Sequence, residues 1–512
     1  MNTSENSLIQ AMQQPAFYNY PVASVELIET HISWVLLTGR YAYKIKKPVD
    51  FGFLDFTTLE KRKYYCEEEL RLNGRLAPDI YLDVIAIAES NGTFSINHNK
   101  SNIVEYAVRM QQFSQQGLIR NLLQNKQITI HHIKQLADAI AEFHDNIAIT
   151  DKEMIHGDPT EVIKPVEHNF TILEEFITEE SQRKTLALIK QKSQEIYERI
   201  QDALLLRKKN GFIRECHGDL HLGNIAFING NPLIFDGIEF SESLRWIDVI
   251  SEIAFLIMDL EDYDQPYFAT TLLNRYLEKS GDYAGLEVFQ FYKIYRAMVR
   301  AKVTALRLQQ ETENSERFIA DSQKLNDYLE LAKKYCEARK PFMIVTHGIS
   351  GSGKSWIGNQ LAAQLNAIII HSDHERKRLF ENNTDNLYSR DITSKTYQYL
   401  QDTAQQLLTA GYPVIVDATF LDKTQRDHFY SLGQQLAIRF YILHCHADKH
   451  ILEQRIKTRC KDKTEMSDAD IAIMQNQLDR YQPLDVNELK YTIEFDSNKP
   501  IDLIKLAEKF TS

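Results

Sequence analysis

The feature that most constrains this chain is an eight-residue stretch that fits the pattern G-x-x-x-x-G-K-[ST] at every position. Its residues are Gly348, Ile349, Ser350, Gly351, Ser352, Gly353, Lys354 and Ser355. The preceding run 342–346 predicts a short buried strand, and the apolar spacing over 356–365 predicts a helix. In this context backbone N–H groups at a helix N-terminus hold phosphate. The stretch therefore predicts a site for a nucleoside triphosphate, with Lys354 on the terminal phosphates and Ser355 facing Mg²⁺.

The composition limits the classes of protein that this chain can belong to. Its 512 residues are enough for two large domains, one of them bilobal, and a 43% hydrophobic content is that of a folded protein. A net charge of −12 argues against a nucleic acid bound over the whole surface. The odd number of well-separated cysteines favours reduced thiols. With no apolar run of 18 residues and a polar N-terminus, we expect a soluble protein of the cytoplasm that does not bind membranes.

The first hundred residues predict a mostly antiparallel sheet with one helix. The run 25–30 is helix-like, and the β-rich runs 32–38 and 41–46 are joined by Gly39-Arg40, which indicates a hairpin. A charged amphipathic helix over 59–76 follows. Three further strands are predicted at 81–87, 93–96 and 103–110. Residues 130–207 and 246–339 are predicted to be helical, the last part being a charged connector.

A second group of residues with catalytic potential lies between these helical regions. His217-Gly-Asp219 is followed five residues later by Asn224, and Asp236 ends the next predicted hairpin, which turns at Asn229-Gly230. Phosphoryl transfer needs a carboxylate to deprotonate an acceptor hydroxyl, together with oxygen ligands for Mg²⁺. We therefore assign Asp219 as the base and Asn224 and Asp236 as Mg²⁺ ligands.

A phosphate-contacting lysine is expected on the second strand of the first hairpin. Lys44 is the first choice, but Lys46 lies on the same face of that strand because side chains alternate. The acidic partner of this phosphate-contacting lysine is expected on the following helix and is Glu68 or Glu69.

The tripeptide His-Gly-Asp occurs a second time, at His156-Gly-Asp158. The position five residues beyond Asp158 is Ile163, which cannot ligate a metal, and Pro159 follows directly. No hairpin ending in a carboxylate comes after it. We therefore interpret 156–159 as a structural turn.

The residues from 25 to 305, most clearly those from 215 to 248, resemble the aminoglycoside phosphotransferase family of small-molecule kinases. The resemblance implies a bilobal protein-kinase-like fold, the roles given above, and a structural aspartate at Asp248. There is no G-x-G-x-x-G loop before Lys44, and the acceptor-binding region does not match. The acidic run 259–264 would suit a polyamine, whereas the basic helix segment 296–302 would suit an anion. Solvated helix faces or mutual ion pairs would also explain both segments.

The second half carries its polar residues at the predicted carboxyl ends of strands, where open α/β sheets bind ligands. These residues are Asp373, directly after the strand 367–372, and Asp417, the last residue of the strand 412–417. Arg376 lies three residues beyond Asp373, and a helix over 451–460 presents Arg455 and Arg459.

Residues 341–512 resemble the P-loop kinases that include polynucleotide 5′-kinases, zeta toxins and gluconate kinase. The resemblance implies that Asp373 is the base, that Arg376 contacts the acceptor or its phosphate, and that Asp417 supports Mg²⁺. It also implies a lid formed by Arg455 and Arg459. Cations would then converge where negative charge must be stabilised.

The predicted fold is thus a two-domain chain, with an α+β kinase-like domain at 1–335 and an α/β P-loop domain with a parallel sheet at 336–512. The first domain comprises a small lobe at about 25–112 and a large lobe at about 113–335. We expect a bifunctional phosphotransferase that uses ATP and Mg²⁺ on small-molecule acceptors. Two alternatives stay open: a nucleotide or nucleic-acid 5′-hydroxyl kinase in the second half, and a nucleotide-gated module with one silent half. The acceptors and the choice between ATP and GTP are not predicted.

Overall fold

The computed structural model describes residues 3–52, 54–96, 102–151, 153–309, 311–312, 315–381, 387–459 and 471–511. Its internal contacts divide the chain into two compact units. Unit 1 comprises Met1–Pro165 and Leu204–Asp259, and unit 2 comprises Val166–Ala203 and Leu260–Ser512. The predicted domain boundary between residues 335 and 336 stays a prediction.

Unit 1 begins with a six-stranded antiparallel sheet in the order β1-β2-β3-β6-β4-β5. One face of this sheet carries a core that includes Trp34, Leu36, Tyr43, Ile45 and Ile87. The elements in chain order are α1 (Thr3–Met12), β1 (Glu26–Glu29), β2 (Ser33–Leu37), β3 (Tyr41–Lys46), α2 (Leu59–Asn73), β4 (Tyr81–Ser90), β5 (Thr93–Ile96) and β6 (Ile103–Gln111).

The predicted strands, their hairpin and the helix α2 are confirmed, whereas the helix predicted over 25–30 is wrong. Glu26–Glu29 forms the edge strand β1, which pairs with β2 in an antiparallel register. A run of six residues is too short to form a stable helix alone. Pairing with β2 satisfies its backbone instead, and Leu27 packs against the sheet core.

The remainder of unit 1 places a short hairpin next to the antiparallel sheet. Strands β8 and β9 turn at Asn229-Gly230, both residues having positive φ, as predicted. The elements are α3 (Ile119–Gln124), α4 (Ile130–Asn146), α5 (Pro159–Phe176), α6 (Glu180–Lys209), β7 (Ile213–Glu215), β8 (Ile225–Ile228), β9 (Asn231–Ile234), α7 (Glu242–Arg245), β10 (Trp246–Asp248) and α8 (Val249–Asp262). Helices α5 and α8 run from unit 1 into unit 2, whereas α6 begins in unit 2 and ends in unit 1.

The helical region predicted from residue 246 begins differently in the structure. Residues Trp246–Asp248 form a strand that pairs antiparallel with β7. This pairing satisfies the backbone of β7, the strand that leads into the His-Gly-Asp segment. The helices then follow as predicted.

Unit 2 contains a five-stranded parallel sheet in the order β12-β13-β11-β14-β15. Helix α12 follows the central strand β11, as the P-loop pattern predicts. The elements are α9 (Pro266–Ser280), α10 (Leu286–Leu308), α11 (Glu316–Tyr335), β11 (Phe342–His347), α12 (Lys354–Leu365), β12 (Ile368–His371), α13 (Ser372–Leu379), α14 (Arg390–Thr409), β13 (Val414–Asp417), α15 (Lys423–Gln435), β14 (Arg439–His446), α16 (Lys449–Arg459), α17 (Ile471–Arg480), β15 (Thr492–Asp496) and α18 (Leu503–Thr511).

The predicted α+β and α/β classes are therefore confirmed: an α+β fold with an antiparallel sheet in the N-terminal half and a parallel-sheet P-loop fold in the C-terminal half. Strands β11, β12 and β13 are buried along their whole length, which is typical of parallel strands covered on both faces. Within the described residues, none of the helices is both long enough and apolar enough to cross a bilayer.

Two candidate phosphotransfer sites

In unit 1 the His-Gly-Asp segment is bonded directly to the hairpin that ends in Asp236. His217 donates from Nε2 to the carbonyl of Phe235 at 2.9 Å, and Ile238 N–H donates to the carbonyl of His217 at 2.9 Å. Asn224 donates from its amide to Asp219 Oδ2 at 3.1 Å. Burial lowers the pKa of His217, so its ring is neutral at pH 7. These bonds bring the predicted base and both predicted metal ligands together.

Lys44 lies on β3 and reaches Asp236. Its Nζ is 2.5 Å from Asp236 Oδ1 and 2.8 Å from Glu69 Oε1. Burial alone would lower the pKa of Lys44, but the charges of Asp236 and Glu69 outweigh burial and raise it. Lys44 is thus a cation beside the carboxylate predicted to hold Mg²⁺.

Lys46 occupies a different position, although it lies on the same strand. Its side chain is fully buried, with Nζ 2.7 Å from Glu69 Oε2 and bonded to Glu239. The two lysines therefore share Glu69, and Glu239 completes the cluster. Sequence reasoning missed Glu239, although its position three residues after Asp236 was a usable signal.

The other acidic candidate, Glu68, faces away from both lysines. It pairs with Arg71 at 2.8 Å, and Arg71 also contacts Glu215, the residue just before Cys216 and His217. Arg75 and Arg245 bind the same Glu215 carboxylate. Helix α2 is thus tied to the strand that leads into the candidate catalytic loop.

Two carboxylates of helix α8 hold the backbone of that loop. Glu252 accepts a hydrogen bond from Gly218 N–H at 2.7 Å and pairs with His144 Nε2 at 2.8 Å. Asp259 accepts from Leu222 N–H at 2.8 Å. Gly218 has φ +87°, and a Cβ there would meet the carbonyl of Leu244 at 2.8 Å. The loop conformation therefore requires glycine at this position.

Asp248 and Asp158 both serve structural ion pairs. Asp248 forms a two-bond pair with Arg207 at 2.6 and 2.8 Å and accepts from Ile250 N–H. Asp158 pairs with Lys208 at 2.6 Å in the turn that precedes α5.

The two charged segments considered for acceptor binding are largely engaged within unit 2. Glu261 pairs with Lys293 at 2.6 Å, and Asp262 pairs with Lys324 at 2.6 Å. Arg296 is buried in α10. Internal pairing therefore accounts for Glu261 and Asp262 without an acceptor.

The residues of this site fit a bound Mg²⁺. Asp236 is held with φ +64°, a conformation uncommon outside glycine, and about half of its side chain is exposed. Asn224 uses its amide nitrogen on Asp219, which leaves the amide oxygen as its ligand atom. A carboxylate and an amide oxygen are the ligand types that Mg²⁺ prefers.

In unit 2 the P-loop has the backbone form that phosphate binding requires. Gly348, Gly351 and Gly353 all have positive φ, and a Cβ on Gly348 would lie 2.3 Å from the carbonyl of Cys445. Helix α12 starts at Lys354, whose Nζ donates to the carbonyl of Ile349 at 2.9 Å. The ring of backbone N–H groups and the helix N-terminus thus form an anion site.

One polar atom of this loop supports an anion or water inside it. The hydroxyl of Ser352 is buried and has no hydrogen-bond partner among the described residues. The N–H of Ser350 donates to Gln477 Oε1 of α17 at 2.8 Å. A phosphate oxygen or a water would satisfy the Ser352 hydroxyl, whereas the Ser350 N–H is already bonded within the protein.

Asp417 lies at the carboxyl end of β13, beside Ser355. Burial would raise the pKa of Asp417, but the bond from His371 at 2.8 Å, the charge of Lys354 and the Ser355 hydroxyl lower it to about 2. Thr346 also donates to this carboxylate at 3.2 Å. An ionised carboxylate next to a hydroxyl fits the predicted support of Mg²⁺.

Asp373 and Arg376 lie on one face of the short helix α13. Arg376 Nη1 donates to Asp373 Oδ1 at 2.9 Å, and its guanidinium stacks over Tyr388 at 4.8 Å. Arg376 is 7% exposed, and its Nε has no hydrogen-bond partner among the described residues. A buried guanidinium N–H without a partner is a donor available to a ligand.

Of the two arginines assigned to a lid, the structure describes the side chain of Arg455 alone. Arg455 donates to the carbonyl of Gly351 at 3.1 Å and to Ser497 Oγ at 2.8 Å, which holds it against the P-loop. Arg459 ends helix α16, and its side chain lies outside the described residues.

The fold and these two sites define the class of protein: an α+β unit with a candidate phosphotransfer site, followed by a P-loop nucleotide-binding domain. The family model described as an AAA domain matches residues 343–484, the part that contains the P-loop, Asp373 and Asp417. This match confirms the P-loop resemblance seen in the sequence.

The relatives are similar to most of the chain, whereas the solved structures are each similar to a smaller share of it. Uncharacterized proteins of Mycobacterium tuberculosis H37Rv and of Mycobacterium bovis are each 27% identical over 444 residues, covering 85% of this chain and 86% of the relative. An amicoumacin kinase in complex with AMP-PNP, Ca²⁺ and Ami aligns with 65% of this chain and 94% of its own, at 13% identity and a TM-score of 0.40. A gluconokinase from Sinorhizobium meliloti aligns with 33% of this chain and 90% of its own, at 22% identity and a TM-score of 0.25.

Proposed function

We propose that the chain is a bifunctional ATP-dependent phosphotransferase with one phosphotransfer site in each half. The observation that carries this proposal is the repeated arrangement of a lysine, a candidate base and Mg²⁺-type ligands. Unit 1 has Lys44 beside Asp236, with Asp219 bonded to Asn224. Unit 2 has Lys354 and Ser355 next to Asp417, with Asp373 on the helix after β12.

In the first site Asp219 accepts the proton of the acceptor hydroxyl. Asn224 donates to its carboxylate and so fixes its orientation. Lys44 stabilises negative charge on the phosphates of ATP, and Glu69 holds Lys44 in place. Asn224 and Asp236 would hold Mg²⁺, which neutralises phosphate charge when bound.

In the second site the P-loop backbone and Lys354 hold the phosphates of the nucleotide, while Asp373 accepts the proton of the acceptor. Ser355 and Asp417 would hold or support Mg²⁺. Arg376 fixes the orientation of Asp373 through their 2.9 Å hydrogen bond.

We further propose that the second acceptor carries a negative charge. Arg376 is a buried cation with an N–H that no described group accepts, so an anionic group of the acceptor would satisfy it. Sugar acids and nucleotides with a free 5′-hydroxyl both have this chemistry. The buried Arg376 also supports the alternative that the second half is a 5′-hydroxyl kinase.

The test is a phosphate-transfer screen with [γ-³²P]ATP on the full-length protein. Its panel contains aminoglycosides, neutral sugars, sugar acids, nucleosides, nucleoside 3′-monophosphates and short oligonucleotides. The Asp219→Asn variant and the Asp373→Asn variant assign each product to a site. We expect each variant to lose a different product.

Transfer that neither substitution reduces would contradict the proposal. Transfer lost in Asp219→Asn alone, with nucleotide binding but no turnover at the P-loop, would favour a nucleotide-gated module. A second product confined to 5′-hydroxyl ends would assign the P-loop half to the 5′-hydroxyl kinases.

A further inference from the structure

Helix α13, which carries Asp373 and Arg376, is anchored on its opposite face by helix α9 and the turn after it. Residues three and four positions apart share a helix face, so His374 and Arg378 point away from Asp373. His374 Nδ1 lies 2.5 Å from Glu278 Oε1, and Arg378 donates to the backbone carbonyl of Glu278. The helix of the candidate base therefore contacts Glu278 at two points.

The turn after α9 adds a third contact. Tyr283 donates from its hydroxyl to Glu375 Oε1 at 3.3 Å. Both Tyr283 and Glu375 are buried, and Glu375 also pairs with Arg378. A Cβ on Gly281, which has φ +72°, would lie 2.9 Å from Arg378 Nε. The turn therefore fits closely around this arginine.

Helix α9 also holds the strand that leads into α13. Asn274 donates from its side-chain amide to the carbonyl of Ala367 at 2.9 Å and accepts from Ile369 N–H at 2.9 Å. Strand β12 is at the edge of the parallel sheet, where backbone groups lack a neighbouring strand. Asn274 takes the place of that neighbour at Ala367 and Ile369, which are six and four residues before Asp373.

The negative charge of Glu278 is stabilised by the basic side chains around it. Burial would raise the pKa of Glu278, but the hydrogen bond from His374 and the charges of His371, His374 and Arg275 lower it to about 2. Glu278 is therefore ionised within a largely buried contact. Removing one member of such a pair leaves an uncompensated charge.

We propose that Glu278 and Tyr283 are positioning residues of the P-loop site, which fix Asp373 and Arg376 through His374 and Glu375. This inference rests on the function proposed for that site. Helix α13 has only eight residues, and isolated helices of that length are unstable in water, so its geometry depends on what it packs against. The supporting residues precede position 336 in the sequence, so residues 336–512 lack part of their own site.

The test uses full-length protein carrying Asp219→Asn, so that ATP hydrolysis reports the P-loop site, with AMP-PNP as the binding probe. Glu278→Gln and Tyr283→Phe are each added to this background. Lys279→Ala and Glu287→Gln change exposed residues of α9 and α10 and serve as matched controls.

We expect Glu278→Gln to lower kcat for hydrolysis ten- to a hundredfold, because small displacements of a catalytic group have effects of this size. Tyr283→Phe removes only one hydroxyl and is expected to lower kcat severalfold in a folded protein. AMP-PNP affinity is expected to change less than twofold, since the P-loop lies on other elements. Combining Glu278→Gln with Asp373→Asn is expected to add no further loss.

The outcomes separate the two proposals. If Asp373→Asn abolishes hydrolysis while Glu278→Gln and Tyr283→Phe behave like the controls, the positioning role is wrong and the proposed function stands. If both positioning variants weaken AMP-PNP binding as much as they lower kcat, their role is general stability and the inference is overturned. If Asp373→Asn has no effect, the proposed function of this site fails as well.

Discussion

Lys44 Nζ lies 2.5 Å from Asp236 Oδ1, although 192 residues separate the two in the chain. The contact joins the antiparallel sheet to the hairpin that follows the His-Gly-Asp segment, both within unit 1. It places a cation beside the carboxylate that we assign to Mg²⁺. The first candidate site is therefore assembled in this structure.

Asp219→Asn should remove the candidate base of the first site while keeping its size. We expect kcat of the reaction at this site to fall about 10²- to 10⁴-fold, the usual contribution of a general base. The product assigned to the P-loop site should form at an unchanged rate. The measurement is the initial rate of each product with saturating ATP. An unchanged first product would show that Asp219 is not the base.

The two lysines of β3 should behave differently when each is changed to methionine. Lys46 is fully buried between Glu69 and Glu239, so Lys46→Met leaves the buried Glu239 without its lysine partner and should reduce the free energy of unfolding by about 3–5 kcal/mol. Lys44 keeps some exposure and contacts Asp236, so Lys44→Met should mainly reduce activity.

Urea denaturation and rates at the first site, measured on both variants, check this prediction. Lys63→Met, which removes an exposed lysine from α2, is the control. Equal losses of stability in Lys44→Met and Lys46→Met would contradict the separation of roles.

Trp356 should report nucleotide binding at the P-loop. It follows Ser355 directly, is half exposed and stacks on Phe495 with ring centroids 6.3 Å apart. Adding Mg²⁺ and AMP-PNP should change its fluorescence, and Lys354→Ala should abolish the change at the same nucleotide concentration. A response that persists in Lys354→Ala but disappears in Lys44→Met would assign the signal to the other site.

His347 should make the stability of unit 2 sensitive to acid. Burial, together with the charges of nearby basic residues, lowers the pKa of His347 to about 3, against about 6.5 in an unfolded chain. Between these values the unfolded state binds a proton that the folded state does not, so stability falls as pH falls.

The measurement compares wild type with His347→Gln by denaturant unfolding at pH 7 and pH 5. The loss of stability on acidification should be about 2 kcal/mol smaller in the variant, at ~1.4 kcal/mol per pH unit below 6.5. His450→Gln serves as the control for an exposed histidine. Identical acid dependence in wild type and His347→Gln would contradict the prediction.

Most of the fold could be predicted from local sequence patterns. The Gly39-Arg40 and Asn229-Gly230 turns and the P-loop each specify their geometry within a few residues, and the structure contains all three as expected. The edge strand β1 was missed because its pairing with β2, rather than its own residues, decides its conformation.

The supporting contacts of both sites could not be predicted in the same way. Glu239 meets Lys46 across 193 positions, and Glu278 meets His374 across almost a hundred. No periodicity relates residues so far apart, and each of these carboxylates alone resembles any charged surface residue. Only the folded chain shows which of the many charges are buried and paired.

The central claim is that one chain holds two nucleotide sites, and isothermal titration with AMP-PNP and Mg²⁺ tests it most directly. The full-length protein should bind two nucleotides per chain. Lys44→Met with Asp236→Asn, and separately Lys354→Ala with Ser355→Ala, should each reduce the stoichiometry to one, and all four substitutions together should abolish binding. A stoichiometry of one in the unaltered protein, removed entirely by either pair, would contradict the account.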